Sequence, residues 1–499
     1  MAYKAYVTTL KNVRPHSNAD RMKLADCFGN TVCVGLNASE GDVVIYFPTD
    51  GQLSAEYCEH NNLVRKKDEA GNNIGGYMDP DKRNVKAIRL RGEKSDGLVM
   101  PLTSLEYTGV NINDFKIGDI ITVVNGYEIC RKYIPRGRVV KENIAKYGSK
   151  VPHIKVPIAP LFAEHADTEQ LAYNLSAFKP GDEIEITLKM HGTSQRTGYL
   201  PVIQPNKTEY DAVWKYYVDA LIPIKSWKTK FKEKFGKPVY DYGYVSGTRR
   251  TVLEDYEGGY YGSNEFREKH SKAFEGKLWK GETVYYEVVG FTDTGAPIMA
   301  DANNKKLNDK KFIKQYGETT TFSYGCSLTG EYKRYTDGVG EEIYATPLFK
   351  KSDLYVYRMT MTNPDGEVIE YTPDFMRYRC EMMGVKTVPV MWKGYIETII
   401  DSLSGKTNYY TFGVNTEINS YKGCDNPGEA VKNIAEQFYD GPDPVGKTHI
   451  REGVVVRILN RPKFTAYKHK NFAFKVLEGI IKDTAVAPDM EEAQEVENV

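Results

Sequence analysis

The chain carries no charge bias: among 499 residues, 67 lysines and arginines balance 67 aspartates and glutamates, and the formal net charge is zero. A general attraction to polyanions is therefore excluded, and any contact with nucleic acid has to come from a local patch. No run of about eighteen apolar residues is present, which excludes a helical membrane span. The start, Met1-Ala2-Tyr3-Lys4-Ala5-Tyr6-Val7, lacks the apolar core of a signal peptide. No membrane partner and a cytoplasmic location are the expectation. Cysteine is sparse and scattered: Cys27, Cys33, Cys58, Cys130, Cys326, Cys380 and Cys424 show no Cys-x-x-Cys spacing. That speaks against a disulfide framework or a structural zinc. No internal repeat is evident.

The length suits two or three domains. Residues 1–125 alternate short Val/Ile/Tyr/Phe stretches with glycine turns, as in Lys4–Val7, Thr31–Val34, Asp42–Phe47 and Asp119–Val124. This pattern predicts a small closed β-barrel. Residues 126–150 form a basic connector with Arg131, Lys132, Arg136, Arg138, Lys141, Lys146 and Lys150 against Glu142. A second basic patch, Ile224-Lys225-Ser226-Trp227-Lys228-Thr229-Lys230-Phe231-Lys232, interleaves rings with lysines, which suits either nucleic-acid contact or a solvated helix face. The main domain is expected at 151–480, with helix-like stretches at 164–175 and 431–439 and a helical elaboration at 206–238. The acidic end, 481–499, reads as disordered.

The most informative stretch is Thr187-Leu188-Lys189-Met190-His191-Gly192-Thr193-Ser194. Before it, Asp182-Glu183-Ile184-Glu185-Ile186 alternates apolar and acidic residues, the mark of a half-buried strand. Lys189 then stands at a strand end, and a lysine amine is a nucleophile once it has lost its proton. Gly192 lets the backbone bend and approach a ligand closely. Taken alone, such a stretch is more often a solvated lysine at a turn.

Further segments follow in order: Ser246-Gly247-Thr248-Arg249-Arg250, Tyr285-Tyr286-Glu287-Val288-Val289-Gly290, Leu354-Tyr355-Val356-Tyr357-Arg358, Arg451-Glu452-Gly453-Val454-Val455-Val456 and Tyr467-Lys468-His469-Lys470-Asn471. A period of two puts Lys468 and Lys470 on one strand face, and Tyr355 and Tyr357 on another. Either Glu287 or Glu452 can serve a ligand or simply pair with one of the lysines.

Taken together, these segments resemble the ordered motifs of ATP-dependent RNA ligases of the covalent nucleotidyltransferase superfamily, over roughly residues 150–480. The likeness of Lys189-Met190-His191-Gly192 is to the RNA-ligase form of the first motif. His16-Ser17-Asn18-Ala19-Asp20 and the segment 85–98 resemble the N-terminal OB-like domain of one group of these enzymes. The implied fold class is α+β: an OB-like β-barrel followed by an adenylylation domain of antiparallel sheets and helices.

The resemblance implies that Lys189 attacks the α-phosphate of ATP, that Lys468 and Lys470 stabilise the transferring phosphate, and that Glu452 lies near a Mg²⁺ ion, with Mn²⁺ as an alternative. His191, Gly192, Arg249, Arg250, Glu287, Tyr355 and Tyr357 would bind the nucleotide. Glu287 would take the ribose and Tyr357, ahead of Tyr355, the adenine. The implied partner is RNA with 3′-OH and 5′-phosphate ends, nicked or otherwise base-paired, joined by a monomer. Leu188, where a polar residue is common, and Arg358, where an aspartate is common, depart from the pattern. With no room for an OB domain after the last motif, the front domain is expected to hold substrate. A DNA ligase or other covalent nucleotidyltransferase, and an inactive nucleic-acid-binding protein, are the alternatives.

Overall fold

The computed structural model describes residues 3–71, 74–133, 157–165, 168–209, 212–222, 224–228, 237–249, 251–253, 256, 264–299, 332–336, 342–347, 352–414, 423–445 and 450–483. Most of the expected basic connector, Arg250, residues 229–232 of the second basic patch and the acidic end beyond residue 483 lie outside them.

Alternating apolar residues give the front of the chain thirteen short strands: β1 (Ala5–Thr9), β2 (Lys11–Pro15), β3 (Met22–Cys27), β4 (Asn30–Gly35), β5 (Val43–Phe47), β6 (Gly51–Leu53), β7 (Ala87–Leu90), β8 (Glu93–Asp96), β9 (Leu98–Pro101), β10 (Ile120–Ile121), β11 (Val123–Val124), β12 (Tyr127–Glu128) and β13 (Cys130–Lys132). They form an antiparallel sheet in the order β10-β1-β5-β9, a second in the order β2-β3-β4, and the pairs β7-β8, β6-β13 and β11-β12. Strand β5 shows why two layers form. Its Ile45 and Phe47 pack with Val7, Leu53, Tyr57 and Ile121, while Val44 and Tyr46 point the other way, onto Ala25, Cys27 and Val32.

The expected closed OB-like barrel is not what these strands build. Strands β10 and β9 end the four-stranded sheet without pairing to each other, and among the described residues no other sheet closes. One cause is local: after β1 the chain bends at Asn12, whose φ is +51°, and the β2–β3 register slips between Lys11 and Arg14. The chain thus begins a separate layer instead of extending the first. Closure also needs a consistent tilt and stagger around the ring, which short alternating runs do not specify.

Helix α1 (Ala55–His60) belongs to this region. Beyond it the strands are β14 (Glu169–Gln170), β15 (Glu183–Leu188), β16 (Thr193–Glu209), β17 (Lys237–Gly247), β18 (Glu282–Gly290), β19 (Tyr332–Thr336), β20 (Glu342–Pro347), β21 (Ser352–Thr362), β22 (Val368–Glu370), β23 (Val390–Ile400), β24 (Thr407–Gly413), β25 (Gly453–Ile458) and β26 (Thr465–Lys470). The helices are α2 (Ala212–Leu221), α3 (Glu265–Lys272), α4 (Pro373–Met383), α5 (Pro427–Ala435) and α6 (Phe472–Asp483). Two sheets carry the domain, in the orders β14-β26-β25-β15-β23-β24 and β17-β16-β18-β21-β22. Among the described strand pairs of these two sheets, β14–β26 is the parallel one.

Sequence signals explain the helix starts. Thr372 caps α4 by accepting from Phe375 N, with Pro373 in the first turn, and Asn426 caps α5 ahead of Pro427. This cap starts α5 before residue 431, where apolar spacing alone would begin it. The expected helix at 164–175 is not formed: Glu169–Gln170 is drawn into the sheet beside β26, leaving two short 3₁₀ turns, Leu171–Tyr173 and Leu175–Ala177.

The first sheet buries Ile184, Ile186, Trp392, Val454 and Val456 against Val431 and Ile434 of α5, each large side chain contributing roughly 1.5–3 kcal/mol. The second buries Val284, Tyr286, Val288 and Val356 under Phe266 of α3 and Met376 and Cys380 of α4. The chain leaves the first sheet at Leu188 and enters the second at Thr193. Lys189, Met190, His191 and Gly192 therefore lie at the seam. The front region docks nearby through Tyr173, whose ring stacks on Tyr6 at 5.1 Å and meets Phe28 edge-on.

Candidate active site

Strand β15 is flanked by β25 and β23, and this neighbourhood builds the site. Leu188 N donates to Pro389 O and Lys189 N to Gly453 O, which fixes the end of the strand from both sides. Leu188 is buried with Met190, Val289, Tyr355 and Val388. An apolar residue before the lysine is thus favoured by packing.

Lys189 Nζ lies 2.8 Å from Glu452 Oε1. Lys470 Nζ stands 3.3 Å from the same oxygen, and His191 Nδ1 lies 3.4 Å from Glu452 Oε2. Glu452 is only 4% exposed. Burial alone would raise its carboxyl, but the charges of Lys189 and Lys470 and the hydrogen bond from His191 outweigh it and hold the group well below the usual carboxylate range. The carboxylate stays ionised and binds two cations at once.

Two glycines make the approach feasible. A Cβ on Gly192 would lie 2.3 Å from Val288 O, and one on Gly453 would lie 2.1 Å from His469 O. Any side chain there would drive apart the strands that bring Lys189, Glu452 and Lys470 together.

A cavity of about 640 Å³ opens here, lined among others by Lys189, His191, Gly192, Arg249, Glu287, Tyr357, Glu452, Lys468 and Lys470. Lys468 and Lys470 face it from β26, while the intervening His469 turns away and stacks on Tyr439 at 4.9 Å. Burial pushes the His469 imidazole below its ordinary pKa, against the pull of Glu436.

Tyr355 and Tyr357 also share a face, but not a role. Tyr357 lines the cavity, its hydroxyl 2.8 Å from Ser194 Oγ. Tyr355 is packed behind the seam with Leu188 and Met190, and Lys386 lies 5.6 Å over its ring. Register across β18 and β21 skips Tyr357 between Val356 and Arg358. This bulge turns both Tyr357 and Arg358 toward the site side.

Arg358 has its own partner. Its Nε lies 3.0 Å from each oxygen of Glu370, its guanidinium covers Tyr285 and Phe464 at 4.5 and 4.8 Å, and Nη1 lies 3.2 Å from His165 Nδ1.

Several contributors carry no motif signal. Arg267, fully buried on α3, donates to Thr193 Oγ1 at 2.7 Å and to Ser194 O at 3.2 Å, holding the strand just past the seam. His165 and Phe464 stand by the cavity beside Tyr357 and Arg358. Buried Glu185 pairs with Arg377 at 2.8 Å, and its alternation with Ile184 and Ile186 was the only hint to its placement. Glu478 on α6 lies 3.0 Å from Lys470 Nζ.

Among the described residues, no group of three or more His, Cys, Asp or Glu gathers that would hold a metal by itself. The site does supply the ionised carboxylate of Glu452 in a cavity that Glu287 also lines. That arrangement fits a Mg²⁺ ion that takes one or two carboxylates and completes its shell with phosphate oxygens and water. Among the described residues no helix is long and apolar enough to cross a membrane.

No protein-family model matches the chain, and no curated protein matches it in sequence. Solved structures are similar to it in shape. An RNA ligase variant of Naegleria gruberi with AMP and Mn is 15% identical, covering 94% of this chain and 97% of that one, with a TM-score of 0.49. Another variant of that ligase, with ATP and Mn, is 14% identical over 96% and 99% of the two chains at 0.48. The Naegleria gruberi ligase with PPi is 14% identical over 95% and 98% at 0.48. The likeness spans most of the chain at low identity and lies in shape rather than in sequence.

Proposed function

We propose that the chain is an ATP-dependent RNA ligase in which Lys189 is the nucleophile. The observation that carries this reading is the convergence of Lys189 and Lys470 on the buried carboxylate of Glu452, inside a cavity large enough for a nucleotide. A merely solvated lysine at a turn has no reason to meet a buried acid and a second cation.

In the proposed reaction Lys189 first gives its proton to water, to which its side chain is 24% exposed. The freed lone pair forms a bond to the α-phosphorus of ATP as the bond to pyrophosphate breaks. Lys468 and Lys470 stabilise the charge that develops on the phosphate oxygens, and Arg249 contributes a planar fork suited to phosphate. Glu287 takes the ribose, and Tyr357 stacks on adenine. Glu452 would hold a Mg²⁺ or Mn²⁺ ion, which when bound would supply charge that neutralises the triphosphate. His191 keeps Glu452 in place during the exchange. AMP then passes from Lys189 to an RNA 5′-phosphate, and a 3′-hydroxyl displaces it to seal the strand.

The test is incubation with α-labelled ATP or GTP and Mg²⁺, followed by sealing assays on matched RNA, DNA and hybrid nicks. A covalent adenylate on Lys189 and preferential sealing of RNA ends are expected. Absence of an adduct would remove the covalent reading, and equal sealing of DNA nicks would favour a DNA ligase.

A further inference from the structure

Helix α6 begins one residue after Asn471, which follows directly on Lys470 at the end of β26. Asn471 ties that junction down: its N donates to Glu452 O at 2.8 Å, and its Oδ1 accepts from Ala473 N at 2.8 Å. Any shift of α6 is therefore felt at both Lys470 and Glu452.

The front region grips the same helix. Phe472 lies beneath Arg89 and Lys94 of the β7–β8 hairpin, at 5.6 and 5.3 Å. Lys475 Nζ lies 2.5 Å from Asp96 Oδ2, with both side chains largely withdrawn from water. Lys475 and Glu478 are three residues apart and hence neighbours on the helix surface. Glu478 in turn reaches Lys470, whose Nζ it meets at 3.0 Å.

We propose that Glu478 is a positioning residue for Lys470, and that the front region sets its place through the Asp96–Lys475 pair. The inference rests on the reading of Lys470 as a phosphate-binding cation. Its logic is competition. Lys470 is shared between Glu478 and Glu452, and Glu452 also holds Lys189. Without Glu478, Lys470 falls wholly on Glu452 and competes with Lys189 for it. The Asp96–Lys475 pair, the helix turn from Lys475 to Glu478, and the Glu478–Lys470–Glu452–Lys189 ion pairs then link a hairpin of the front region to Lys189, the kind of contiguous network through which coupling travels. If the Asp96–Lys475 pair served only to fasten two regions together, its loss would lower stability without any dependence on Glu478.

A double-mutant cycle on the full chain separates the two. Asp96→Asn, Glu478→Gln and their combination are compared in single-turnover formation of the lysyl-adenylate, in calorimetric binding of ATP without divalent ion, and in thermal melting. Each single variant is expected to slow adenylate formation at least about fivefold. The double variant is expected to be no more than about twofold slower than the slower single one, although Asp96 and Glu478 act on different partners. Adenylate formation at the wild-type rate in Asp96→Asn, or losses that simply multiply in the double variant, would overturn the proposal. If the wild-type chain forms no adduct, the nucleophile reading fails, and the cycle is then decided by ATP binding: non-additive losses uphold the coupling and additive ones overturn it. Should Asp96→Asn not fold, Lys475→Arg, which keeps the charge but moves it outward, replaces it with the same two outcomes.

Discussion

Lys189 and Glu452 meet at 2.8 Å because β15 and β25 are hydrogen-bonded neighbours, with Leu188 opposite Val454. Lys189 and its carboxylate partner are thus joined by sheet register, not by proximity in sequence. Breaking a buried pair by removing one partner strands a charge, at a cost of about 3–5 kcal/mol where nothing else compensates. Here Lys470 and His191 remain as partners of Glu452, so the fold should survive the loss of Lys189.

Lys189→Arg keeps a cation beside Glu452 while removing the amine, and Lys189→Met removes both. Both variants are expected to fold and to form no labelled adduct, Lys189→Met melting at the lower temperature. Peptide mapping that found a normal adduct on another lysine would reassign the nucleophile.

Lys468→Ala and Lys470→Ala each remove a cation from the wall of the cavity. If these groups meet the transferring phosphate, each loss should cost roughly 2–4 kcal/mol of barrier in single-turnover adenylylation. Near-normal rates in both would leave the pair as ordinary strand charge.

For Tyr357, ring and hydroxyl can be separated. Tyr357→Phe forfeits the contact with Ser194, about 1 kcal/mol, whereas Tyr357→Ala also forfeits the ring. The alanine variant is expected to bind ATP more weakly than the phenylalanine variant by calorimetry. Equal affinities would move adenine stacking to another side chain.

Glu436 gives the chain a readable acid limb. Burial would raise its carboxyl, but His469 and Lys432 beside it bring it down from 4.5 to about 2. A carboxyl lower in the folded than in the unfolded chain stabilises fully above about 4.5, and that stabilisation is lost as pH falls toward about 2. Glu436→Gln should therefore melt below wild type at pH 7, with the two converging toward pH 2. Parallel melting curves across that range would show that the carboxylate adds nothing.

The segment around α2 offers rings to solvent: Tyr216 is 72% and Trp227 63% exposed, with Lys215 and Lys225 also exposed nearby. If these rings stack on RNA bases, Trp227→Ala should weaken RNA binding by about 1–3 kcal/mol and leave adenylate formation unchanged. Unaltered affinity and salt dependence, measured by titration, would leave the patch without a role in substrate binding.

Much of the local structure was legible because side-chain periodicity reports which face a residue occupies. The alternation at 182–186 marks β15, the run at 281–290 marks β18, and the spacing of Lys468 and Lys470 puts both on one side of β26. The Asn426-Pro427 cap is equally local, although the apolar spacing read here begins this helix only at residue 431. Each rests on interactions among residues close in sequence, so a short window contains the information.

What the sequence by itself determined, then, is the run of strands, the faces they present and the chemical types gathered at the motif positions. Only the tertiary structure decided that the front strands form open layers instead of a barrel, that Tyr357 reaches the cavity while Tyr355 is packed behind it, and that Arg358 pairs with Glu370. It also decided that Glu452 divides its two oxygens among Lys189, Lys470 and His191, with Glu478 sharing Lys470. These outcomes depend on which strand lies beside which, and that choice is made by packing and burial summed over distant segments. A period of two says that a side chain faces inward; it carries no information about which remote residue will be there to meet it.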